Sequence, residues 1–295
     1  QCSVKERILA DAFRRSGGLS GIQAAMVRGP KDAYRNRAQF HFGPDKKIGY
    51  AKRLSNDIIA LDSCPILAGP INEWLTQSVS GDAAWQKLKP YMAGKDRFIV
   101  FGQDGYSAHV EGPDTDISIS LLGKSIRFHI RGFFQSNLTM LEKLIPDVLD
   151  GLSGQTAADL YCGVGVFGSF LKDRFERLVC VEQDPRAVGY ACANVGKPAD
   201  FAANTMEEWV SSAQAKQRFD HVLVDPPRSG LAPRVKAWLA SAQPASIGYV
   251  SCDPVSLARD SGELSRAGYD LERVRIYDFY PNTSHLESYA RFVLR

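Results

Sequence analysis

The chain has 295 residues, of which 44% are hydrophobic and 23% are charged, and its formal net charge is +3. These values are typical of a soluble globular protein with one large domain or two ordinary ones. No apolar run approaches the roughly 18 residues of a membrane-spanning helix, and no N-terminal signal pattern is present. The sequence begins at Gln1 and not at Met, as expected of a fragment of a longer protein.

The first half of the chain is predicted to contain one helix and several short strands. Apolar residues repeat with helical spacing over 5–18, and a Gly-Gly pair ends this helix. From about 24 to 125 the pattern indicates short strands and turns, with a helical insert near 67–75. The clearest strands are predicted at 38–43, 96–102 and 125–132. We therefore assign residues 1–125 to the N-terminal helix and a small α/β domain.

The segment 27–53 combines basic and aromatic residues. Lys and Arg outnumber its two Asp residues. The aromatic residues interleaved with them are Tyr34, Phe40, Phe42 and Tyr50. Basic charge mixed with aromatic rings suits the phosphate backbone and unpaired bases of RNA. A solvated sheet face with ordinary core aromatics is the alternative, and the segment alone favours neither interpretation.

Six cysteines are present, and their spacing does not resemble a disulfide framework. We infer a reducing, cytoplasmic setting. The sequence contains neither a Cys-x-x-Cys motif nor a His/Cys cluster with metal-ligand spacing, and Cys64 has no partner within reach along the chain.

From about residue 138 onward, strands and helices alternate. A helix is predicted over 141–152, and short apolar strands follow at 156–162, 177–184, 220–227 and 246–253. This alternation predicts a doubly wound, Rossmann-like α/β sheet. The chain ends in two strands joined by a loop without a helix, so we expect the sheet to finish with an antiparallel hairpin. We assign 126–295 to this second domain.

A glycine-rich turn joins the first of these strands to a helix. It contains GxGxxG at Gly163, Gly165 and Gly168. Such a turn brings its backbone close to a ligand, and the helix N-terminus adds partial positive charge. The next strand ends at Glu182, whose carboxylate is placed to bind both hydroxyls of a ribose. Together these features predict a nucleotide-type cofactor.

Two cofactor classes fit this turn: a nicotinamide dinucleotide and S-adenosylmethionine. Asp159 precedes the glycines, where a carboxylate disfavours a pyrophosphate but suits a sulfonium or amino group. The fourth strand ends in the motif VDPPRSG at 224–230. Two prolines stiffen a loop at the sheet edge where cofactor and target base would meet. These details favour S-adenosylmethionine.

The residue after the two prolines restricts the target of a methyltransferase. Enzymes that methylate exocyclic adenine nitrogens usually carry an aromatic residue there, and RNA cytosine-C5 enzymes usually carry a cysteine in this loop. Here the residue is Arg228, and the loop has no cysteine. An arginine suits hydrogen bonding to a base carbonyl or charge balance on an oxyanion. A surface salt bridge is the alternative role.

Cys252 ends the strand that follows this loop, at the edge where ligands of doubly wound sheets bind. Uracil C5 is a poor nucleophile, and a thiolate that adds to C6 activates it. The chemistry then needs a base that removes the C5 proton. Glu287 follows the loop of the terminal hairpin and can return to the same edge, and His285 is the other nearby base. An inert buried cysteine is the alternative for Cys252.

These residues resemble the RNA 5-methyluridine methyltransferases, which methylate uracil C5 in ribosomal and transfer RNA. The motifs that carry the resemblance follow one another in the family's order. They are FFQSN (133–137), DLYCGVGVFG (159–168), VEQD (181–184), VDPPRSGL (224–231), YVSCDP (249–254) and HLES (285–288). The segment YRNRAQF (34–40), followed by IGY and CPI, is similar to the family's RNA-recognition region.

The resemblance implies roles for individual residues. The residues expected to contact S-adenosylmethionine are Gln135, Tyr161, Glu182 and Asp225. Cys252 is implied as the nucleophile and Glu287 as the base that takes the C5 proton. A polar residue that ends the third strand falls at Asn204 or Thr205. The implied fold is a Rossmann-like catalytic domain preceded by a smaller α/β RNA-binding domain.

Many members of this family bind a [4Fe-4S] cluster through four cysteines. Cys64, in the CPI motif, resembles the fourth ligand. The other three would lie before residue 1, so a cluster is expected only if the chain extends N-terminally. Many members also carry an N-terminal β-barrel RNA-binding domain, which this sequence does not contain.

We expect an S-adenosylmethionine-dependent enzyme that forms 5-methyluridine, with ribosomal RNA favoured over the T-loop of transfer RNA. A nicotinamide oxidoreductase and a catalytically inactive RNA-binding protein are the more remote alternatives. The expected partner is an RNA loop, without membrane association, and the expected state is a cytoplasmic monomer.

Overall fold

The computed structural model describes residues 1–43, 47–55, 57–77, 86, 88–89, 97–105, 107–112 and 114–295. The chain divides into two compact units. The larger unit contains 1–29, 120–126 and 140–295, and the smaller unit contains 30–119 and 127–139. Residues 44–46 of the basic segment and Asp96 of the strand predicted at 96–102 lie outside the described residues.

The strands in the described ranges alternate with the helices only in the second half of the chain. The strands are β1 (Ala25–Val27), β2 (Arg37–Phe42), β3 (Ile48–Ala51), β4 (Ile58–Ala60), β5 (Arg97–Phe101), β6 (His109–Val110), β7 (Asp116–Leu121), β8 (Lys124–His129), β9 (Gly154–Leu160), β10 (Phe175–Glu182), β11 (Asp200–Ala203), β12 (His221–Val224), β13 (Ser246–Ser251), β14 (Tyr269–Tyr277) and β15 (Glu287–Leu294). The α-helices are α1 (Cys2–Ala12), α2 (Gly69–Gln77), α3 (Leu138–Leu149), α4 (Val166–Leu171), α5 (Pro185–Val195), α6 (Met206–Trp209), α7 (Pro233–Ala242) and α8 (Pro254–Arg266). A π-helical turn, Phe13–Gly17, continues α1, and Gln214–Lys216 form a 3-10 turn. None of these helices has the length and apolar character that crossing a membrane requires.

The larger unit is built on an eight-stranded sheet in the order β1-β14-β15-β13-β12-β9-β10-β11. Strands β9 to β13 pair in parallel, while β15 is antiparallel to both of its neighbours, β13 and β14. Every residue of β12 and β13 is buried, as expected of central strands covered on both faces. The predicted doubly wound sheet with a terminal antiparallel hairpin is confirmed.

The N-terminal helix packs on the larger unit. Leu9 and Phe13 are fully buried in the same apolar cluster as Leu257 of α8 and Ile276 of β14. Lys5, on the same helix, forms a buried ion pair with Asp278 at 2.8 Å. The predicted domain boundary between 125 and 126 therefore differs from the observed division. The physical reason is that the apolar face of α1 is buried in the core of the larger unit.

Two glycines allow the π-helical turn to approach α8 closely. A Cβ added at Gly17 would lie 2.5 Å from the carbonyl oxygen of Ala258, and one added at Gly262 would lie 2.3 Å from that of Gly17. Both distances are shorter than a carbon–oxygen contact permits. Gly18 follows with φ of 67°, a left-handed conformation that ends the helix as the Gly-Gly pair predicts.

The smaller unit contains a five-stranded antiparallel sheet in the order β4-β3-β2-β5-β6. Alternate residues of β2 point into a core with the apolar face of α2. Phe40 is fully buried there and stacks on Tyr50 with a centroid distance of 5.3 Å. The predicted strand at 38–43 and the helical insert are confirmed. Some aromatic residues of the basic segment are therefore ordinary core residues of the sheet, as the alternative to RNA contact predicted.

We expect Gly262→Ala to lower the free energy of unfolding by about 1–3 kcal/mol, because the new methyl group would overlap the backbone of Gly17. Gly189, inside α5, is a matched control because an added Cβ there would meet nothing within 4 Å. Gly189→Ala should raise stability by about 0.4–1 kcal/mol. Urea denaturation of both variants measures the two effects, and equal stability of the two would contradict the close contact.

Candidate active site

The glycine-rich turn between β9 and α4 has three residues in the left-handed conformation. They are Tyr161, Gly163 and Gly165, with φ of 62°, 54° and 78°. An added Cβ at Gly163 would meet no atom within 4 Å, so the space over the turn is open to a ligand. An added Cβ at Gly165 would lie 2.8 Å from Cγ2 of Val195, so this glycine allows close packing of α4 on α5. The turn therefore fits a nucleotide-type cofactor.

Glu182 lies at the end of β10, where the sequence predicts a ribose-binding carboxylate. Its Oε2 accepts a hydrogen bond from the Gly163 amide at 3.2 Å, and its Oε1 accepts one from the Asp184 amide at 2.9 Å. These bonds fix the carboxylate beside the open turn. Each oxygen keeps a lone pair for a ligand hydroxyl.

Tyr161 occupies a backbone conformation that disfavours its side chain by roughly 1–2 kcal/mol. Its ring packs against the main apolar core of the larger unit, and burial raises the pKa of its hydroxyl. Strain of this kind is concentrated at functional positions. The conformation is therefore compatible with the cofactor contact predicted for Tyr161.

Asp159 differs from the expectation that it faces a ligand directly. It has no exposed surface, and an added Cβ at Gly168 would lie 3.1 Å from its Oδ2 and 3.0 Å from Sγ of Cys180. Burial raises the pKa of Asp159 to about 8. The carboxyl thus lies beneath α4, among apolar atoms and cysteines.

The register at the end of β11 distinguishes the two polar residues that follow it. Thr205 is the N-cap of α6, and its hydroxyl accepts from the Glu208 amide at 3.3 Å. Glu208 in turn accepts from the Thr205 amide at 3.0 Å. Both the hydroxyl and the amide of Thr205 are therefore used by the capping box of α6. Asn204, exposed directly after the strand, is left as the polar residue at the sheet edge.

Cys252 and Glu287 come together at the carboxyl edge of the sheet. Strands β13 and β15 are antiparallel, with Ser251 paired to Ser288. The next position in this register sets Cys252 opposite Glu287. Asp253, the N-cap of α8, accepts from the amides of the first turn, so the chain leaves the strand immediately after Cys252. The structure therefore brings together the two residues that the sequence predicts as a catalytic pair.

Asp225 and Arg228 belong to the same group of charges. Asp225 follows β12, and its amide donates to the Leu160 carbonyl at 3.3 Å. Burial raises the pKa of Asp225 to about 7. Burial and the Asp225 charge raise the pKa of Glu287 to about 8, while Arg228 acts in the opposite direction. Asp225, predicted as a cofactor contact, thus lies within electrostatic reach of Cys252 and Glu287.

The Cys252 thiol is affected by the same surroundings. Burial raises its pKa, and the charges of Glu287 and Asp225 raise it further. Arg228 lowers it and is the cation that favours the thiolate. Arg228 Nη2 donates to Nδ1 of His285 at 3.3 Å. His285, the alternative base, is exposed and already accepts this hydrogen bond, whereas Glu287 is half-buried.

The loop that carries Asp225 and Arg228 is held from α8 by a residue that the sequence analysis did not single out. Asp260 is fully buried, and its Oδ2 accepts from the Leu231 amide and from the Tyr249 hydroxyl, both at 2.8 Å. The neighbouring Arg259 donates to the Ser229 carbonyl at 2.7 Å. An aspartate on the apolar face of an amphipathic helix was the available signal for this role.

Gln135 and Cys64 belong to the smaller unit. The carbonyl oxygen of Gln135 accepts from Nδ2 of Asn36 at 3.2 Å, which fixes the FFQSN segment within that unit. The amide of Cys64 donates to Oδ1 of Asn72 at 2.8 Å. In the part of the chain that the structure describes, no group of three or more His, Cys, Asp or Glu is arranged to hold a metal ion. The cofactor contact of Gln135 and the cluster ligand role of Cys64 stay predictions.

Comparison with known proteins extends this description. The family model described as tRNA (uracil-5-)-methyltransferase matches residues 116–293. A Treponema denticola protein described as an uncharacterized RNA methyltransferase is 33% identical over 288 residues, which cover 92% of this chain and 69% of that protein. The 23S rRNA (uracil(1939)-C(5))-methyltransferase RlmD of Aeromonas salmonicida is 29% identical, over 99% of this chain and 77% of the relative.

A solved structure shares the fold. The crystal structure of Pyrococcus abyssi tRNA (uracil-54, C5)-methyltransferase in complex with S-adenosyl-L-homocysteine superposes with a TM-score of 0.78. The match covers 99% of this chain and 84% of that chain, at 22% sequence identity. The Rossmann-like methyltransferase architecture predicted from the sequence is confirmed.

Three carboxyls whose pKa is raised by burial predict that the protein loses stability as the pH rises. Asp159 and Glu287 have pKa values of about 8 and Asp225 of about 7, all above the values of an unfolded chain. The native state therefore binds more protons, and from pH 7 to pH 9 the free energy of unfolding should fall by about 2–3 kcal/mol. His221, whose pKa burial lowers to about 3, is neutral in the native state across this range. Urea denaturation at pH 7, 8 and 9 measures the trend.

Asp159→Asn is the matched variant for this measurement, because it removes one of the three titrating groups and leaves Asp225 and Glu287 in place. The decrease between pH 7 and pH 9 should shrink by about 1 kcal/mol. An unchanged slope would show that Asp159 is already ionised at pH 7.

Proposed function

The chain belongs to the tRNA (uracil-5-)-methyltransferase family, and on that premise we propose that it methylates a uridine of 23S ribosomal RNA. The protein is an RNA (uracil-C5)-methyltransferase. The observation that carries the assignment of its residues is the placement of Cys252 opposite Glu287 at the carboxyl edge of the sheet. S-adenosylmethionine, when bound, supplies an electrophilic methyl group.

Four residues are proposed to hold the cofactor. Glu182 would bind the ribose hydroxyls, because its carboxylate is already oriented by the Gly163 amide. Tyr161 and Asp225 follow β9 and β12, which are neighbours in the sheet, and so lie at one edge. Gln135 is the fourth, on the family's FFQSN motif.

Cys252 and Glu287 are proposed to act on opposite sides of one carbon–carbon bond. The Cys252 thiolate adds to C6 of the uracil, which raises the electron density at C5. C5 then takes the methyl group as its bond to the cofactor's sulfonium breaks, which leaves a neutral thioether, and the Glu287 carboxylate removes the remaining proton from that carbon. The C5–C6 double bond re-forms as the bond between Sγ of Cys252 and C6 breaks, so the protein leaves unmodified.

Arg228 is proposed to favour the reactive protonation states of both residues. Its charge lowers the pKa of Cys252 and that of Glu287, which burial and neighbouring carboxylates raise. Its fixed fork also suits a hydrogen bond to a uracil carbonyl as negative charge develops there. The uracil must leave its stack to meet this edge, because C6 is inaccessible inside a helix.

Ribosomal RNA is favoured because RlmD relatives align with 99% of this chain. Transfer RNA is the second candidate, since the family description and the P. abyssi structure name a tRNA activity. The monomeric state and the cytoplasmic location stay predictions.

Incubation with an RNA that carries 5-fluorouridine at the target should trap a covalent complex. With fluorine at C5 there is no proton for the base to remove, so the bond to Cys252 cannot be released. Cys252→Ala should form no complex and transfer no methyl group. Glu287→Gln with ordinary uridine should accumulate methylated RNA attached to the protein, with release slowed roughly 100-fold or more. Denaturing gels and mass spectrometry of the complex read these outcomes.

Two variants serve as controls for this experiment. Cys192→Ala changes an exposed cysteine of α5 and should behave like the wild-type protein. His285→Gln tests the alternative base. A trapped methylated complex with His285→Gln and free turnover with Glu287→Gln would transfer the role of base to His285.

The RNA target is tested with two transcripts and S-adenosylmethionine carrying a labelled methyl group. One transcript spans the 23S rRNA region that corresponds to uridine 1939 of the relatives, and the other is a transfer RNA with its T-loop. We expect 5-methyluridine in the first alone, located by nuclease digestion and mass spectrometry. Methylation confined to the T-loop would replace the ribosomal assignment, and methylation of neither would reject both targets.

A further inference from the structure

The turn between β3 and β4 has an unusual residue at its tip. The amide of Lys52 donates to the Asp57 carbonyl at 2.8 Å, and the amide of Ser55 donates to the Lys52 carbonyl at 3.1 Å. The Asp57 amide also donates to the Ser55 hydroxyl at 3.0 Å. Within this closed turn, Leu54 has φ of 59°. We call residues Lys52 to Ser55 the hairpin tip.

Leucine is disfavoured at this position for two independent reasons. Turns with a left-handed residue normally use Gly or Asn there, because a Cβ crowds the adjacent carbonyl oxygen and Asn offsets this cost by local hydrogen bonding. The Leu54 side chain is also 98% exposed, so it gains nothing from core packing. Neither the backbone nor the core of the smaller unit accounts for a leucine, and a contact outside the chain would account for it.

Two cations directly precede the leucine. Lys52 and Arg53 are both exposed, and neither forms an ion pair with any residue in the described ranges. Two other basic residues of the same unit are paired, Arg131 with Glu111 at 2.5 Å and Arg127 with Asp116 at 3.0 Å. The hairpin tip therefore combines a protruding apolar side chain with uncompensated positive charge.

We infer that the hairpin tip is an RNA-contacting wedge, in which Leu54 packs against an unstacked base and Lys52 and Arg53 bind the flanking phosphates. Apolar wedges of this kind separate base steps, and cations beside them supply salt-dependent affinity. The inference rests on the proposed function for the identity of the partner. Folded RNA presents unstacked bases in its loops, beside a continuous line of phosphates.

The test compares Leu54→Gly with the wild-type protein in binding to the 23S rRNA transcript described above. Glycine adopts the left-handed conformation without strain, so the melting temperature should be unchanged or higher. Removal of the Leu54 side chain, which the wedge would bury against a base, should weaken RNA affinity roughly tenfold. The double variant Lys52→Gln/Arg53→Gln should reduce the slope of log affinity against log salt by about 1–2.

Leu122→Gly is the matched control. Leu122 also has a left-handed backbone, with φ of 48°, and it lies 47% exposed in the turn between β7 and β8. The next charged residue, Lys124, is paired with Asp173. This variant should bind the transcript with wild-type affinity.

Methylation of the transcript is measured in the same samples, so that failure of the proposed function is recognised separately. Unchanged RNA affinity of Leu54→Gly in a protein that still methylates would overturn the wedge. Equal weakening by Leu122→Gly would also overturn it. So would a wild-type dimer that Leu54→Gly converts to a monomer in sedimentation, because the tip would then be a contact between copies of the chain.

Discussion

The antiparallel insertion of β15 between β13 and β14 is the constraint on which the proposed chemistry depends. In a fully parallel sheet, the start of a strand and the end of its neighbour lie at opposite edges. Because β15 runs in the opposite direction, its first residue, Glu287, lies next to the end of β13, opposite Cys252. The same placement buries the acid, and burial is the main reason that its pKa exceeds the ordinary range. Topology thus sets both the proximity of the two residues and the protonation of one of them.

The loop after β12 is held in place by a single buried carboxylate. Asp260 connects the Leu231 amide to the Tyr249 hydroxyl, so the loop, strand β13 and helix α8 share one hydrogen-bonded centre. Lys236 Nζ lies 3.4 Å from the other oxygen of Asp260 and balances its charge together with Arg259. A fully satisfied buried network of this kind favours one loop geometry. Arg228 therefore projects from a loop whose backbone is fixed on the side away from solvent.

The sequence predicted the sheet edge better than it predicted the packing between distant segments. Glycine spacing and polar residues after apolar strands are local signals, and they located the turn at Gly163 and the carboxylate of Glu182. The assignment of the N-terminal helix to the first domain differs from the division seen in the structure, because docking of the helix involves the close approach of Gly17 and Gly262, which no local pattern reveals. The role of Asp260 was missed for a similar reason, since its partners come from two other elements.

The pairing of β1 with β14 has a consequence for the order in which the protein is made. Ala25 pairs with Arg275, so β14 emerges from the ribosome long after β1, the strand with which it pairs. At roughly 5–20 residues per second, the delay is on the order of 10–50 s. Throughout that interval the apolar face of α1, including Leu9 and Phe13, has no partner on the sheet. The apolar face of α1 therefore lacks its native partners on α8 and β14 while the smaller unit is synthesised.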